Sequence, residues 1–113
     1  MADGTEAEAR AAEYLVRQGL KVIGRNFRCR LGEIDLIARD GETLVFVEVR
    51  SRRNAGYGGA LASVDGRKQQ RLIAAAQYYL ARQPHLPPCR FDVVALEGAA
   101  QVVHWVRNAF DAG

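Results

Sequence analysis

Polar and apolar residues change period several times along the chain, and those changes mark the elements. "TEAEARAAEYLVRQ" carries its apolar residues at helical spacing and predicts a helix from about Thr5 to Gln18. Thr5 is placed to cap it, with Glu8 three residues on as in a capping box, and Gly19 to stop it. "KVIGRNFR" then predicts a first strand, weakened by Gly24, and "EIDLIAR" and "TLVFVEVR" predict two more. Asp40-Gly41 stands between the last two as a hairpin signal. "NAGYGGALAS" reads as a glycine-rich loop, and a second helix is expected from about Asp65 to Arg82, ending before "QPHLPP". "RFDVVAL" and "QVVHWV" close the chain as a hairpin of two strands, turning across Glu97 to Ala100. The order αβββαββ predicts an α/β fold with one mixed β-sheet flanked by helices.

Carboxylates interrupt the central hairpin. With Asp40-Gly41 as a two-residue type I′ turn, Arg39 pairs with Glu42, Glu48 lies opposite Glu33, and Asp35 lies opposite Phe46. Opposed residues share a face, so Glu33, Asp35, Glu48 and Arg50 are expected on one side. Ile34, Leu36, Val45, Val47 and Val49 are expected on the other. Asp35 and Glu48 become diagonal neighbours about 7 Å apart at the backbone. Like charges so placed repel, and Arg50 alone is one positive charge among them. A divalent cation such as Mg²⁺, which takes hard oxygen ligands and keeps several waters, would balance the face. Ion pairs to Arg28, Arg30 and Arg50 would balance it as well. Both helices also carry a polar group on the stripe that faces the sheet: Glu8 on the first, Lys68 and Gln69 on the second. A capping glutamate and a snorkelling lysine account for these individually. Together they aim at the same sheet.

Charge and composition narrow the classes. The 113 residues carry sixteen Lys and Arg against thirteen Asp and Glu, a formal charge of +3. Only Lys21 and Lys68 are lysines, and the planar arginine fork suits phosphate. Arg25, Arg28 and Arg30 cluster, as do Arg50, Arg52 and Arg53, and then Arg67, Lys68 and Arg71. They read either as solvated surface arginines or as a nucleic-acid footprint. Two distant cysteines with no CxxC argue against zinc, and no apolar run has the length of a membrane span. The polar, acidic N-terminus is not a signal peptide, so a cytoplasmic setting is the expectation and no membrane partner is expected.

"AEARAAEYLVRQGLKVIGRNFR", "GEIDLIARDG", "LVFVEVRSR", "YGGALASVDGRKQQRLIAAAQYYL" and "RFDVVA" together resemble the YraN-type family, uncharacterised protein family 0102, across nearly the whole chain. That family is similar to the restriction-endonuclease-like superfamily, which includes archaeal Holliday-junction resolvases. The resemblance implies one endonuclease-like domain over residues 1–113 with a restriction-endonuclease-like αβββαββ core. It also implies a site: an acid on the first helix, an Asp on one strand, and Glu-x-Lys on the next. Glu8, Asp35 and Glu48 match the acids and would hold Mg²⁺ or Mn²⁺, and Arg50 falls on the lysine position. That departure matters, because lysine can position or deprotonate a water and arginine stays protonated. Arg50 could instead hold phosphate, with Lys68 supplying the missing amine. Arg52, Arg53, Arg67 and Arg71 would grip the flanking DNA backbone. The leading expectation is a metal-dependent DNA phosphodiesterase, with branched or junction DNA as one substrate form and a homodimer left open. The alternatives are a catalytically inactive DNA-binding module of the same fold, and a protein-interaction domain whose acids form ion pairs.

Overall fold

Helix α1 spans Ala2–Arg17, earlier than expected, in the computed structural model that describes residues 2–54 and 58–112, with side chains from residue 6. The helix continues back through Gly4 and Asp3 to Ala2, so Thr5 lies inside α1 and not at its N-cap position. Strands β1 (Lys21–Cys29), β2 (Gly32–Asp40) and β3 (Thr43–Arg52) follow. A short helix α2 (Gly59–Ala62) occupies part of the expected glycine-rich loop, whose residues 55–57 lie outside the described ones. Helix α3 (Gly66–Leu80) is capped by the Asp65 carboxylate, which accepts from the Lys68 N–H at 3.0 Å. Strands β4 (Cys89–Glu97) and β5 (Val102–Phe110) complete the chain.

The five strands lie in sequence order in one sheet. Only the β3–β4 pair is parallel, joined by the α2–α3 crossover, and the other three pairs are antiparallel. This is the expected α/β architecture, a mixed sheet flanked by helices, and it agrees with a restriction-endonuclease-like core. Each face of the sheet has its own apolar core. Ala11, Ala12 and Leu15 of α1 pack on Leu36, Val45, Val47 and Val94. Leu72, Ile73 and Ala76 of α3 pack on Ile34, Ile37, Phe46 and Phe91.

The hairpin register differs from the expected one. Asp40 pairs with Thr43, so Gly41 and Glu42 are the central turn residues, with Gly41 at φ 61° and Glu42 not left-handed. Glycine at the first central position suits a type II′ turn. Arg39 therefore faces Leu44, two places beyond Glu42, and a shift of two does not by itself turn a side chain to the other face. It does change the partners. Leu36–Val47 is the last pair of the β2–β3 ladder and Phe46 pairs with Ile37, so Asp35 lies beyond the ladder and not opposite Phe46.

Face alternation itself breaks at Asp35. Ile34 was expected beside Leu36 but packs with the α3 core, while Leu36 packs with α1. Two backbone features accompany the break. Asn26, which lies across from Asp35 on β1, is left-handed at φ 52°. The start of β2 is also drawn against α3: a Cβ on Gly32 would stand 2.2 Å from the Arg71 carbonyl oxygen.

Candidate functional site

A cleft of ≈ 590 Å³ opens where β2 begins and β3 ends, between the N-terminal halves of α1 and α3. Glu8 reaches it from α1, Glu33 and Asp35 from β2, Glu48 and Arg50 from β3, and Lys68 from α3. The sheet has stopped bonding to itself there, and side chains take over. The Asp35 carboxylate accepts the Val49 N–H at 2.8 Å, substituting for a ladder carbonyl where the strands part.

Burial sets the electrostatics of the pair. The Asp35 carboxyl is pushed up to about 6, chiefly by burial, against the Val49 N–H bond that favours its charged form; the Glu8 and Glu33 charges raise it further. Glu48, whose side chain is only 13% exposed, is pushed up to about 7 by burial and then by the Asp35 charge. Arg50 and Lys68 pull Glu48 down without cancelling the rise. The Arg50 Nη1 stands 3.7 Å from Glu48 Oε2, an ion pair too long to be a hydrogen bond. Two acids that resist ionisation and repel each other in one cleft are the pattern of a cation site or of proton chemistry.

Glu33 is different. It lies in an exposed ion pair with Arg28 at 3.3 Å, as a plain surface reading predicts, although it also borders the cleft. Arg52 and Arg53 line the cleft, but Arg67 and Arg71 stand exposed on α3 away from its lining. Gln69, on the sheet-facing stripe, donates to the Val64 carbonyl at 3.1 Å and serves the entry to α3. Sequence reasoning missed Arg10, Asn54 and Gln101, which also line the cleft. Arg10 sits two residues beyond Glu8, a proximity that could have singled it out. Gln101 had no local signal. It accepts the Ser51 hydroxyl at 2.6 Å across fifty residues of chain, a contact only the fold creates.

Among the described residues, no three of His, Cys, Asp and Glu are close enough to hold a metal by themselves. Mg²⁺ does not require three, because one or two carboxylates with waters and substrate phosphate suffice. Asp35 and Glu48 offer hard oxygen donors of that kind, and their suppressed ionisation is the cost a cation would relieve. They fit the ion, and Glu8 lines the same cleft.

The same stretch of chain that builds the cleft is the one that relatives share. The model of uncharacterised protein family UPF0102 matches residues 7–96. The chain belongs to that family. A UPF0102 protein of Alcanivorax borkumensis is 58% identical over 112 residues, covering 95% of this chain and 90% of the relative. One from Pseudomonas putida strain GB-1 is 54% identical over 113 residues, covering 96% and 92%. The UPF0102 span contains every cleft residue from Glu8 to Lys68. Among the described residues, no helix is long and apolar enough to cross a membrane.

Proposed function

We propose that this UPF0102 protein is an Mg²⁺- or Mn²⁺-dependent phosphodiesterase acting on DNA. The observation that carries the reading is the Asp35–Glu48 pair, half-buried, mutually repelling and bordered by Arg50 and Lys68. Asp35 and Glu48 would hold the ion, and Glu8 would assist. The bound ion would supply an acidified water and charge neutralisation at phosphorus.

The chain's own residues account for the rest. Arg50 stays protonated at any working pH, so it clamps a phosphate oxygen and does not remove a proton. Lys68, half-buried, lines the cleft from a different element, which supports a role in steadying the attacking water, the role left open at position 50. Arg10, Arg52 and Arg53 line the walls, where phosphates flanking the reacting one would pass. A DNA-binding module that has lost its chemistry is the second reading. The arginine that replaces the superfamily's lysine favours it.

Single-turnover cleavage of linear, flapped and four-way-junction DNA in Mg²⁺ and Mn²⁺ separates the two. An enzyme is expected to lose about 100-fold in rate on Arg50→Ala, the loss typical of removing one preorganised donor. Arg50→Lys should keep or raise the rate, and Glu48→Gln should abolish it. Intact DNA with wild type and Arg50→Lys alike would leave the binding module. Cleavage that survives Glu48→Gln would assign the activity to a contaminant.

A further inference from the structure

Arg50 is fixed less by its carboxylate neighbour than by a helix of one turn. Its Nε donates to Ser63 Oγ at 2.9 Å, a shorter and better-formed contact than the 3.7 Å approach to Glu48. The Ser63 hydroxyl gives its own proton to the Ala60 carbonyl at 2.6 Å. A serine has one proton and two lone pairs, so this commitment turns an acceptor toward Arg50. Ser63 is the residue that ends α2, and α2 is itself tied down. Glu97, 5% exposed at the end of β4, accepts from the backbone N–H of Gly58 and from that of Leu61 at 3.4 Å. Glu97 also pairs across the parallel ladder with Arg52, and the Gly98 N–H donates to the Arg52 carbonyl at 2.9 Å. The end of β3, helix α2 and the end of β4 thus form one hydrogen-bonded unit.

An arginine head on a long flexible stem otherwise turns to water. Pinning Nε fixes the plane of the guanidinium and sets where its terminal nitrogens lie. We infer that Ser63 is a positioning residue for Arg50, and that Glu97, by anchoring α2, sets where Ser63 stands. The inference rests on the reading of Arg50 as the phosphate clamp. It explains why a buried carboxylate lies behind the cleft wall with no part in the acidic pair: its oxygens serve backbone donors of α2.

Two measurements on the full chain test it. The first is hydrogen exchange at the Arg50 Nε–H resonance, identified by its loss in Arg50→Lys. Ser63→Ala should speed exchange by about tenfold or more, Ser63→Thr should restore protection, and Glu97→Gln should speed exchange to a lesser degree. The second is single-turnover DNA cleavage in Mn²⁺. Ser63→Ala should slow it by about tenfold or more through misplacement of Arg50, with Mn²⁺ affinity unchanged and Ser63→Thr restoring the rate. Unchanged exchange in Ser63→Ala overturns the inference whatever the DNA result. Altered exchange with normal cleavage in Ser63→Ala overturns it too. Altered exchange with no cleavage by any variant, wild type included, upholds the positioning and refutes the phosphodiesterase reading.

Discussion

Replacing Glu48 by glutamine should make the metal-free protein more stable, by an amount that grows as pH rises from about 4.5 and is complete above about 7. The carboxyl is nearly enclosed, at 13% exposure, and its pKa rises from 4.5 to about 7 on folding. Folding therefore favours the protonated form. The associated stability is fully present below about pH 4.5 and is lost as pH rises through about 7. Each pKa unit corresponds to about 1.4 kcal/mol, so the charged form costs the fold about 3 kcal/mol at pH 8. Glutamine keeps the shape without the charge, relieves Asp35 of a neighbour, and gives up the long Arg50 contact and the attraction of Lys68. A net gain of about 2 kcal/mol would raise Tm by about 10 °C in a domain of this size. Thermal melts by circular dichroism in EDTA at pH 5 and pH 8 provide the assay. The variant should melt well above wild type at pH 8 and close to it at pH 5. Saturating Mn²⁺ should close the gap at pH 8 by stabilising wild type alone. A variant that melts at or below wild type at pH 8, or whose advantage is equal at both pH values, would refute the reasoning.

Three further outcomes are expected. Calorimetric titration should show Mn²⁺ binding that strengthens from pH 5 to pH 8 as Asp35 and Glu48 shed protons, and that vanishes in Asp35→Asn; binding independent of pH would place the ion elsewhere. Fluorescence anisotropy should show DNA affinity falling with salt at a log–log slope of roughly −3 to −4, as for about four neutralised phosphates; no binding at low salt would remove nucleic acid from the account. Gly32→Ala should cost about 1–3 kcal/mol of stability, read as a lower urea midpoint, because its Cβ would meet the Arg71 carbonyl, a backbone atom that cannot swing aside; an unchanged midpoint would show that β2 slides freely over α3.

The strands and the two long helices were legible because their apolar spacing is local. The acidic cluster was legible for a related reason: carboxylates amid Ile, Val and Phe violate that spacing, and the violation is visible in the string. The register was not. Whether Asp40-Gly41 or Gly41-Glu42 forms the turn depends on small backbone differences that the dipeptide does not encode, and the outcome paired Phe46 with Ile37 and left Asp35 beyond the ladder. Because the slip was by two, it did not by itself turn any side chain over. Ile34 was misassigned because the alternation of side chains breaks between Ile34 and Leu36, and a period of two assumes no break. Ser63, Glu97 and Gln101 were invisible because each acts on a partner distant in the chain. Helix α2 was hidden by the glycines around it.

The bond from the Val49 N–H to the Asp35 carboxylate has a practical consequence. A backbone amide proton directed at a titrating oxygen shifts its resonance when that oxygen gains a proton or a cation. Val49 is thus a built-in gauge, one peak in a proton–nitrogen spectrum, that follows the charge on Asp35 directly. It needs no substrate, no turnover and no attached dye. Its pH curve would read the carboxylate in place, and its displacement by added ions would rank them by how strongly each engages that oxygen.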